Sequence, residues 1–235
     1  MDYQLLDWDS GFFGMGVARI TEPTLAKRNL ADILLALKRE GVKLAYWPSS
    51  RECEDEARGL GGYLVDAKTT FAIDLLGLSD DLLSIDLVEP YSPSMPVAEL
   101  EELAVLSGAC SRFALDPRIP RDKVAALYRT WMNRSLAKEM ASEVLVIREG
   151  SSVVGVVTLG EKNGRGDIGL IAVDAGHRGR RYGEKLVRAA QKWFIENGYA
   201  RGQVVTQGKN LPACRLYAGC GYSVEKVEYF YHFWL

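Results

Sequence analysis

The sequence holds few of the residues that build metal sites or disulfide frameworks, and it has no long apolar run. Among 235 residues there are two histidines and four cysteines, and the cysteines form no CxxC pair. We therefore expect no bound metal, and free thiols in a reducing compartment. No apolar run approaches the roughly 20 residues that span a bilayer, and the first residues lack the basic and apolar regions of a signal peptide. These absences predict a cytoplasmic protein with no membrane partner.

The chain also lacks an excess of charge of either sign. Its 29 lysine and arginine residues stand against 31 aspartate and glutamate residues, which leaves a net charge of −2. A general nucleic-acid-binding surface is not indicated by this balance, so any positive patch has to be local. No internal repeat at a fixed period and no low-complexity segment interrupts the chain.

Apolar residues make up 48% of the chain, and a protein of this length buries enough surface to fold without staples. Two different patterns meet near residue 80. We predict a smaller N-terminal α/β domain over residues 1–80 and a second domain over residues 81–235. The first is predicted to contain a helix through Leu30–Leu37, strands at Val42–Trp47 and Tyr63–Leu75, and a helix at Glu52–Leu60. At the boundary, Leu78–Ile85 is predicted to form a turn leading into another strand, and Pro90, Pro93 and Pro96 a loop.

The second domain is predicted to begin with two helices separated by a polar loop, SRFALDPRIP. The elements that follow are predicted strands at Val144–Ile147, Val153–Leu159, Ile168–Val173 and Gln203–Thr206, helices at Arg180–Asn197 and Leu211–Ala218, and a strand at Tyr222–Phe233. The almost wholly apolar strand Ile168–Val173 is predicted to be central and covered on both faces. The aromatic strand at Tyr222–Phe233 would be an exposed edge unless paired, which suggests a homodimer through it.

The stretch LIAVDAGHRGRRYGEKLV, residues 170–187, has the composition of a phosphate-binding turn. A strand ends at Val173, and a glycine- and arginine-rich turn then opens a helix. The free N–H groups and the macrodipole of a helix N-terminus suit a pyrophosphate, and glycine lets the backbone approach it. A solvated basic helix start is an equally simple interpretation. A Rossmann dinucleotide turn fits poorly, because the strand lies late in the chain.

The stretch QGKNLPACRLYAGCGY, residues 207–222, places Tyr217 on a predicted short helix. A phenol with a pKa of about 10 is protonated at neutral pH, so Tyr217 is available as an acid. The alternative is a core aromatic residue with a satisfied hydroxyl group.

Together the two stretches resemble motifs of the GNAT acyltransferase superfamily. The first is similar to the pattern [Q/R]-x-x-G-x-[G/A], with Arg178 and Gly183 at its ends and Arg181 where glycine is expected. The second is similar to N-x-x-A-x-x-L-Y-x-x-x-G-[F/Y], through Asn210, Ala213, Leu216, Tyr217, Gly221 and Tyr222. The resemblance implies a GNAT fold, in which a mixed, partly splayed central sheet is flanked by helices, and it implies acetyl-CoA as co-substrate. It also implies that Tyr217 protonates the CoA thiolate that leaves when an amine attacks the thioester. Implied cofactor-binding residues are Leu170, Ile171, Ala172, Val173, Arg178, Gly179, Arg180, Arg181, Tyr182, Gly183 and Asn210.

The opening segment LDWDSGFFG, residues 6–14, resembles the start of bacterial dTDP-4-amino-4,6-dideoxygalactose (dTDP-fucosamine) acetyltransferases. Ser111-Arg112-Phe113 and Asp116-Pro117, followed by Tyr128, Trp131 and Ser135, extend the resemblance. It implies acetylation of a dTDP-amino sugar, with Arg112 pairing with the diphosphate. The implied acceptor-binding residues are Arg112, Phe113, Phe12 and Phe13, although aromatic residues such as Trp8, Phe12 and Phe13 are more often part of a core than a platform for a ligand.

An attacking amine must first lose its proton, so a carboxylate, or a water molecule held by one, is required nearby. Most of the candidates are expected to be solvated surface charges: Asp9, Asp66, Asp74, Asp116, Asp167, Glu143 and Glu161. The resemblance favours Asp66, acting through a water molecule. Other amine acceptors, such as a polyamine, an aminoglycoside or a protein N-terminus, stay open. So does a non-catalytic acyl-CoA-binding module, because Arg181 replaces the motif glycine.

Overall fold

The computed structural model describes residues 2–78 and 86–235. Strands and helices in the first part are β1 (Tyr3–Leu5), α1 (Asp7–Phe13), β2 (Gly16–Ile20), α2 (Lys27–Arg39), β3 (Val42–Ser49), α3 (Glu54–Arg58) and β4 (Gly62–Asp74). Those of the second part are β5 (Val88–Pro90), α4 (Val97–Ser107), α5 (Arg112–Leu115), α6 (Arg121–Leu136), β6 (Glu143–Glu149), β7 (Ser152–Lys162), β8 (Arg165–Val173), α7 (Tyr182–Glu196), β9 (Arg201–Gln207), α8 (Leu211–Gly219) and β10 (Ser223–Trp234). The mixed α/β class is confirmed.

Most of the predicted elements are present, and two differ. The polar loop at 111–120 contains α5, whose first turn is capped by Ser111: its Oγ accepts a hydrogen bond from the Ala114 N–H at 3.2 Å. Pro90 ends β5 instead of starting a loop, which is possible because β5 is an edge strand and a missing N–H costs little there. The predicted turn and strand at Leu78–Ile85 fall almost wholly on residues 79–85, outside the described residues.

The strands form one mixed sheet in the order β1-β2-β3-β10-β4-β9-β8-β7-β6-β5. Pairs β2–β3 and β8–β9 are parallel, and the other neighbours are antiparallel. Side chains that alternate along β6 and β7 enter different cores: Val144 and Val146 join the core under α4 and α6, whereas Leu145 and Ile147 join the core under α7. Helices therefore cover both faces of the sheet around β6–β8.

The aromatic strand β10 has no free edge in its second half. Tyr229 to Phe233 pair with β3 on one side and with β4 on the other. The strand is thus paired within the chain itself, because β10 inserts between two strands that come before it in the chain. With both edges occupied, the reason for predicting a homodimer through this strand no longer holds.

Asp116 ties β10 to β4 and to the segment after α5. Its buried carboxylate accepts hydrogen bonds from Tyr63 Oη at 2.6 Å, His232 Nδ1 at 2.6 Å, Trp234 Nε1 at 3.0 Å and the Arg118 N–H at 2.9 Å. These donors hold the pKa of Asp116 at about 2 despite its burial. The carboxylate therefore has a structural role, because it links β4, β10 and the segment after α5.

Candidate active site

The candidate site lies where strands β8 and β9 separate. They pair only through the rungs Gly166–Gly202, Asp167–Gln203 and Ile168–Val204. Beyond these rungs, β8 continues to Val173 and β9 to Gln207, but the two strands no longer pair with each other. The two diverging strands border a cleft of about 1110 Å³. Because β9 diverges from β8, Leu170, Ile171 and Val173 are only half-buried at the edge that borders the cleft. The strand is nevertheless central in the sheet, as predicted, and both α4 and α7 contact it.

A β-bulge in β8 sets the direction of its backbone at the cleft. The pairs Val157–Ile171 and Leu159–Ile168 enclose Thr158 opposite two residues, Gly169 and Leu170. The Leu170 N–H donates to Thr158 Oγ1 at 2.8 Å. A Cβ atom at position 169 would lie 2.8 Å from the same oxygen, so the bulge requires glycine there.

The bulge leaves two backbone donors directed at the cleft. The Asp174 N–H donates to Val154 O on β7 at 2.8 Å, and the Leu170 N–H also points towards β7. Since successive residues of a strand alternate in direction, the N–H groups of Ile171 and Val173 point to the opposite side, from which β9 has diverged. Of the four residues predicted to bind cofactor through their backbone, these two have N–H groups available.

The glycine- and arginine-rich turn lies at one end of the cleft. A short 3₁₀ turn over Ala175–His177 is followed by Gly179 and Arg181, whose φ angles are +78° and +60°. Helix α7 begins at Tyr182, so its free N–H groups face this end. The predicted residues of this turn that line the cleft are Arg178, Gly179, Arg181, Tyr182 and Gly183. Arg180 is not among the lining residues, because its guanidinium pairs with Glu149 at 2.5 Å.

Helix α8 supplies the opposite wall through Asn210, Ala213, Leu216 and Tyr217. Asn210 is the N-cap of α8, and its Oδ1 accepts from the Ala213 N–H at 3.4 Å. Tyr217 is 2% exposed and packs against the rings of Phe71 and Tyr222, with centroids at 5.8 and 6.2 Å. Burial raises the pKa of Tyr217 above its ordinary value of 10.0, so the phenol stays protonated across the physiological range.

The residues predicted for the acceptor lie beside the cleft and are absent from its wall. Arg112 stacks its guanidinium over the rings of Tyr46, Phe113 and Phe230 at 4.5–4.8 Å. Phe12 and Phe13 pack against the core under α4 and α6, which agrees with the core-packing interpretation. This aromatic enclosure directs Arg112 towards the interior instead of towards the cleft lining.

Asp66 is also absent from the cleft lining. It lies on β4 in register with Phe230 and is 8% exposed. Burial raises its pKa to about 7, although Arg112, Lys68 and Lys209 act in the opposite direction. A buried carboxylate with a pKa near neutrality is thus present on β4, two residues from Lys68, which does line the cleft.

Several lining residues were not predicted as site residues. On the side of α4 and α6 these are Tyr128, Trp131 and Ser135, which had entered only as part of a resemblance. On the strands and their ends they are Lys68, Lys162 and Lys209, near Asp167, which was one of the candidate carboxylates. The α6 residues share helical spacing, which a sequence alone assigns to a core. The strand residues meet only because β4 pairs with β9, a long-range register that local patterns do not reveal.

All four cysteines carry free thiols. Within residues 2–78 and 86–235, no three His, Cys, Asp or Glu side chains gather closely enough to hold a metal ion. Over the same residues, none of the helices is both long and apolar enough to cross a membrane.

Comparison with known proteins agrees with this geometry. Residues 112–222 match the model of the Acetyltransferase (GNAT) family. The chain is 27% identical over 133 residues to the spore coat polysaccharide biosynthesis protein SpsD of Bacillus subtilis, across 57% of this chain and 46% of that protein. It is 33% identical over 79 residues to a streptothricin acetyltransferase of Escherichia coli, across 33% of this chain and 45% of that protein. The matches thus span a little under half the length of either relative.

Among solved structures, a GCN5-related N-acetyltransferase from Sphaerobacter thermophilus superposes with a TM-score of 0.65 at 15% identity, covering 99% of this chain and 76% of that one. This likeness extends the shared fold to the N-terminal strands, outside the matched family region. The separated strands, the bulge and the helix that follows the arginine-rich turn all lie within that region. Over residues 112–222, this chain is therefore similar to the acetyltransferase (GNAT) family in both sequence and fold.

Proposed function

We propose that this protein is an acetyl-CoA-dependent N-acetyltransferase and that its acceptor is a nucleotide-linked amino-deoxy sugar, a dTDP-4-amino-4,6-dideoxyhexose. The acetyl group passes by direct attack of the amine in a ternary complex. The single observation that carries the acetyltransferase is the cleft between β8 and β9, which combines backbone donors, a helix N-terminus and a protonated phenol. The cleft thus brings together the groups that acetyl transfer from a thioester requires.

Acetyl-CoA fits this cleft residue by residue. The pyrophosphate lies at the N-terminus of α7, beside Arg178, Gly179 and Arg181. The pantetheine chain runs along β8 and bonds with backbone N–H groups and with Asn210. An N–H group of β8 polarises the thioester carbonyl and stabilises the oxyanion that forms on attack. Tyr217 then protonates the departing thiolate.

Two considerations support a sugar acceptor. The similarity to a protein of spore coat polysaccharide biosynthesis covers more than half of this chain. The face of the cleft opposite α7 combines the rings of Tyr128 and Trp131 with Lys68, Lys162 and Lys209. Aromatic rings suit the apolar faces of a sugar or a base, and ammonium groups suit a diphosphate.

A second acceptor class is supported by the similarity to a streptothricin acetyltransferase over 79 residues. In that case the acceptor is a cationic small-molecule amine. An anionic nucleotide sugar and a polycationic antibiotic differ in charge at the lysine-lined face. The two acceptors are therefore separable by experiment.

The experiment follows CoA release with a thiol reagent, using acetyl-CoA and dTDP- or UDP-linked 3-amino and 4-amino sugars, spermidine, an aminoglycoside and streptothricin. Saturable turnover with a dTDP-4-amino sugar is expected. Turnover confined to a cationic amine would replace the sugar by the second class. Binding of acetyl-CoA with no acetylated product from any amine would contradict the enzyme itself.

A further inference from the structure

Only two carboxylates of the described residues line the cleft, Asp167 and Glu184. Glu184 lies in the first turn of α7, next to Gly183, at the end assigned to the phosphates. Asp167 lies at the opposite end, on the second of the three rungs that hold β8 and β9 together. A group at this position meets the inner end of any chain that enters between the diverging strands.

The surroundings of Asp167 orient its carboxylate and leave it free of a close ion pair. The Gln203 side chain donates from Nε2 to Asp167 Oδ1 at 2.8 Å, and Gln203 is itself buried. No lysine, arginine or histidine of the described residues lies within ion-pair distance of Asp167. Burial raises its pKa, and the ammonium groups of Lys162 and Lys68 oppose that shift. Tyr222 is the further titratable group within electrostatic reach.

Asp66, the carboxylate favoured by the sequence, lacks this position. It lies on β4, two strands from β8, and the cleft wall does not include it. Its electrostatic neighbours are the cations Arg112, Lys68 and Lys209. A water chain would have to connect Asp66 with an amine in the cleft, whereas Asp167 faces the cleft directly.

We propose that Asp167 is the general base that removes the proton from the acceptor ammonium group. This proposal rests on the acetyltransferase function proposed above. Asp167 takes one proton from the ammonium, and the freed lone pair forms the C–N bond with the thioester carbonyl carbon. The C–S bond breaks with its electron pair on sulfur, and the sulfur takes the proton of Tyr217. The new nitrogen gives its second proton to the Tyr217 phenolate, and Asp167 releases its proton to solvent.

The test compares Asp167→Asn with the wild type over a range of pH, using the amine that the acceptor panel identifies. Asparagine keeps an oxygen that accepts the Gln203 hydrogen bond, so the variant removes basicity with little change of shape. We expect kcat to fall by about 10²–10⁴-fold at neutral pH, with KM for acetyl-CoA within about twofold of the wild type. The lost rate should return as pH approaches the pKa of the amine itself. Asp74→Asn, at the exposed end of β4, is the matched control and should leave the profile unchanged.

The outcomes separate this inference from the proposed function. A wild type that acetylates no amine overturns both. A wild type that turns over, together with an Asp167→Asn variant of equal rate and equal pH profile, overturns the inference alone. The same holds if Asp66→Asn abolishes turnover and Asp167→Asn does not. Circular dichroism and acetyl-CoA binding by calorimetry verify that each variant is folded.

Discussion

Arg181 has a left-handed backbone conformation, with φ at +60°, at a position where the family motif has glycine. An L-residue with a Cβ atom is disfavoured in this region by about 1 kcal/mol, and glycine is not. The backbone at Arg181 is therefore strained, and its guanidinium group lines the cleft. The two contributions can be separated by substitution.

Arg181→Gly is expected to raise the free energy of unfolding by about 0.5–1 kcal/mol, because the strain disappears. It should also raise KM for acetyl-CoA by about twofold to fivefold, since an exposed charge pair with a phosphate is lost. Urea denaturation and initial rates measure the two effects. Arg181→Ala keeps the strain and loses the charge, so it should raise KM alone; a KM that stays at the wild-type value in both variants would remove Arg181 from the phosphate site.

Tyr217→Phe removes only the hydroxyl group proposed to protonate the thiolate. We expect kcat to fall by about 10²–10⁴-fold while acetyl-CoA still binds, as measured by CoA release and by calorimetry. Tyr222→Phe is the matched control, because Tyr222 is equally buried, contacts Tyr217 and lies outside the cleft wall. Equal losses in the two variants would point to packing as the cause and would contradict the acid assignment.

Among the elements, the loop after α5 depends on a single carboxylate, Asp116. Its pKa in the folded protein is lowered to about 2 from an ordinary value of 3.8. A lowered pKa means that Asp116 stabilises the fold above pH 3.8, and that this contribution is lost as the pH falls towards 2.

Asp116→Asn is expected to lower the free energy of unfolding by about 2 kcal/mol at neutral pH, because an amide replaces the charged acceptor of four hydrogen bonds. Urea denaturation at several pH values measures it. The gap between variant and wild type should narrow below a pH of about 4. A gap that is constant with pH would show that the carboxylate's charge contributes nothing.

Local patterns were sufficient to predict most helices and strands, and the motifs at residues 170–187 and 207–222 were sufficient to locate one end and one wall of the cleft. These local patterns did not predict which strands pair with each other in the sheet. The position of β10 between β3 and β4 depends on pairing between residues more than 140 positions apart, and no periodicity encodes that choice. The same limit explains why Asp66 was favoured over Asp167: both follow the alternation of a strand, and only the sheet order reveals which one faces the cleft.

For the molecule as a whole, Asp66 makes stability depend on pH near neutrality. Its pKa is raised from 3.8 to about 7, so the folded state holds this proton more tightly than the unfolded state. The contribution of Asp66 therefore falls as the pH rises from 3.8 through about 7.

Asp66→Asn is expected to remove this decline and to raise the free energy of unfolding above pH 7 by up to about 4 kcal/mol. Urea denaturation across the same pH range measures it. Asp32→Asn, on an exposed position of α2, is the control and should follow the wild type. A decline of equal slope in the Asp66 variant would assign the pH dependence to other groups.

The insertion of β10 between β3 and β4 also bears on how the protein is made. The ribosome releases β3 and β4 well before Ser223–Trp234. Until β10 is synthesised, one edge of β3 and one edge of β4 therefore have unpaired backbone groups. Translation that stalls after α8 would leave both edges open to strands of other chains, which favours aggregation over a smaller folded product. Chaperone dependence during synthesis, and poor recovery of chains truncated before residue 223, follow from the place of one strand.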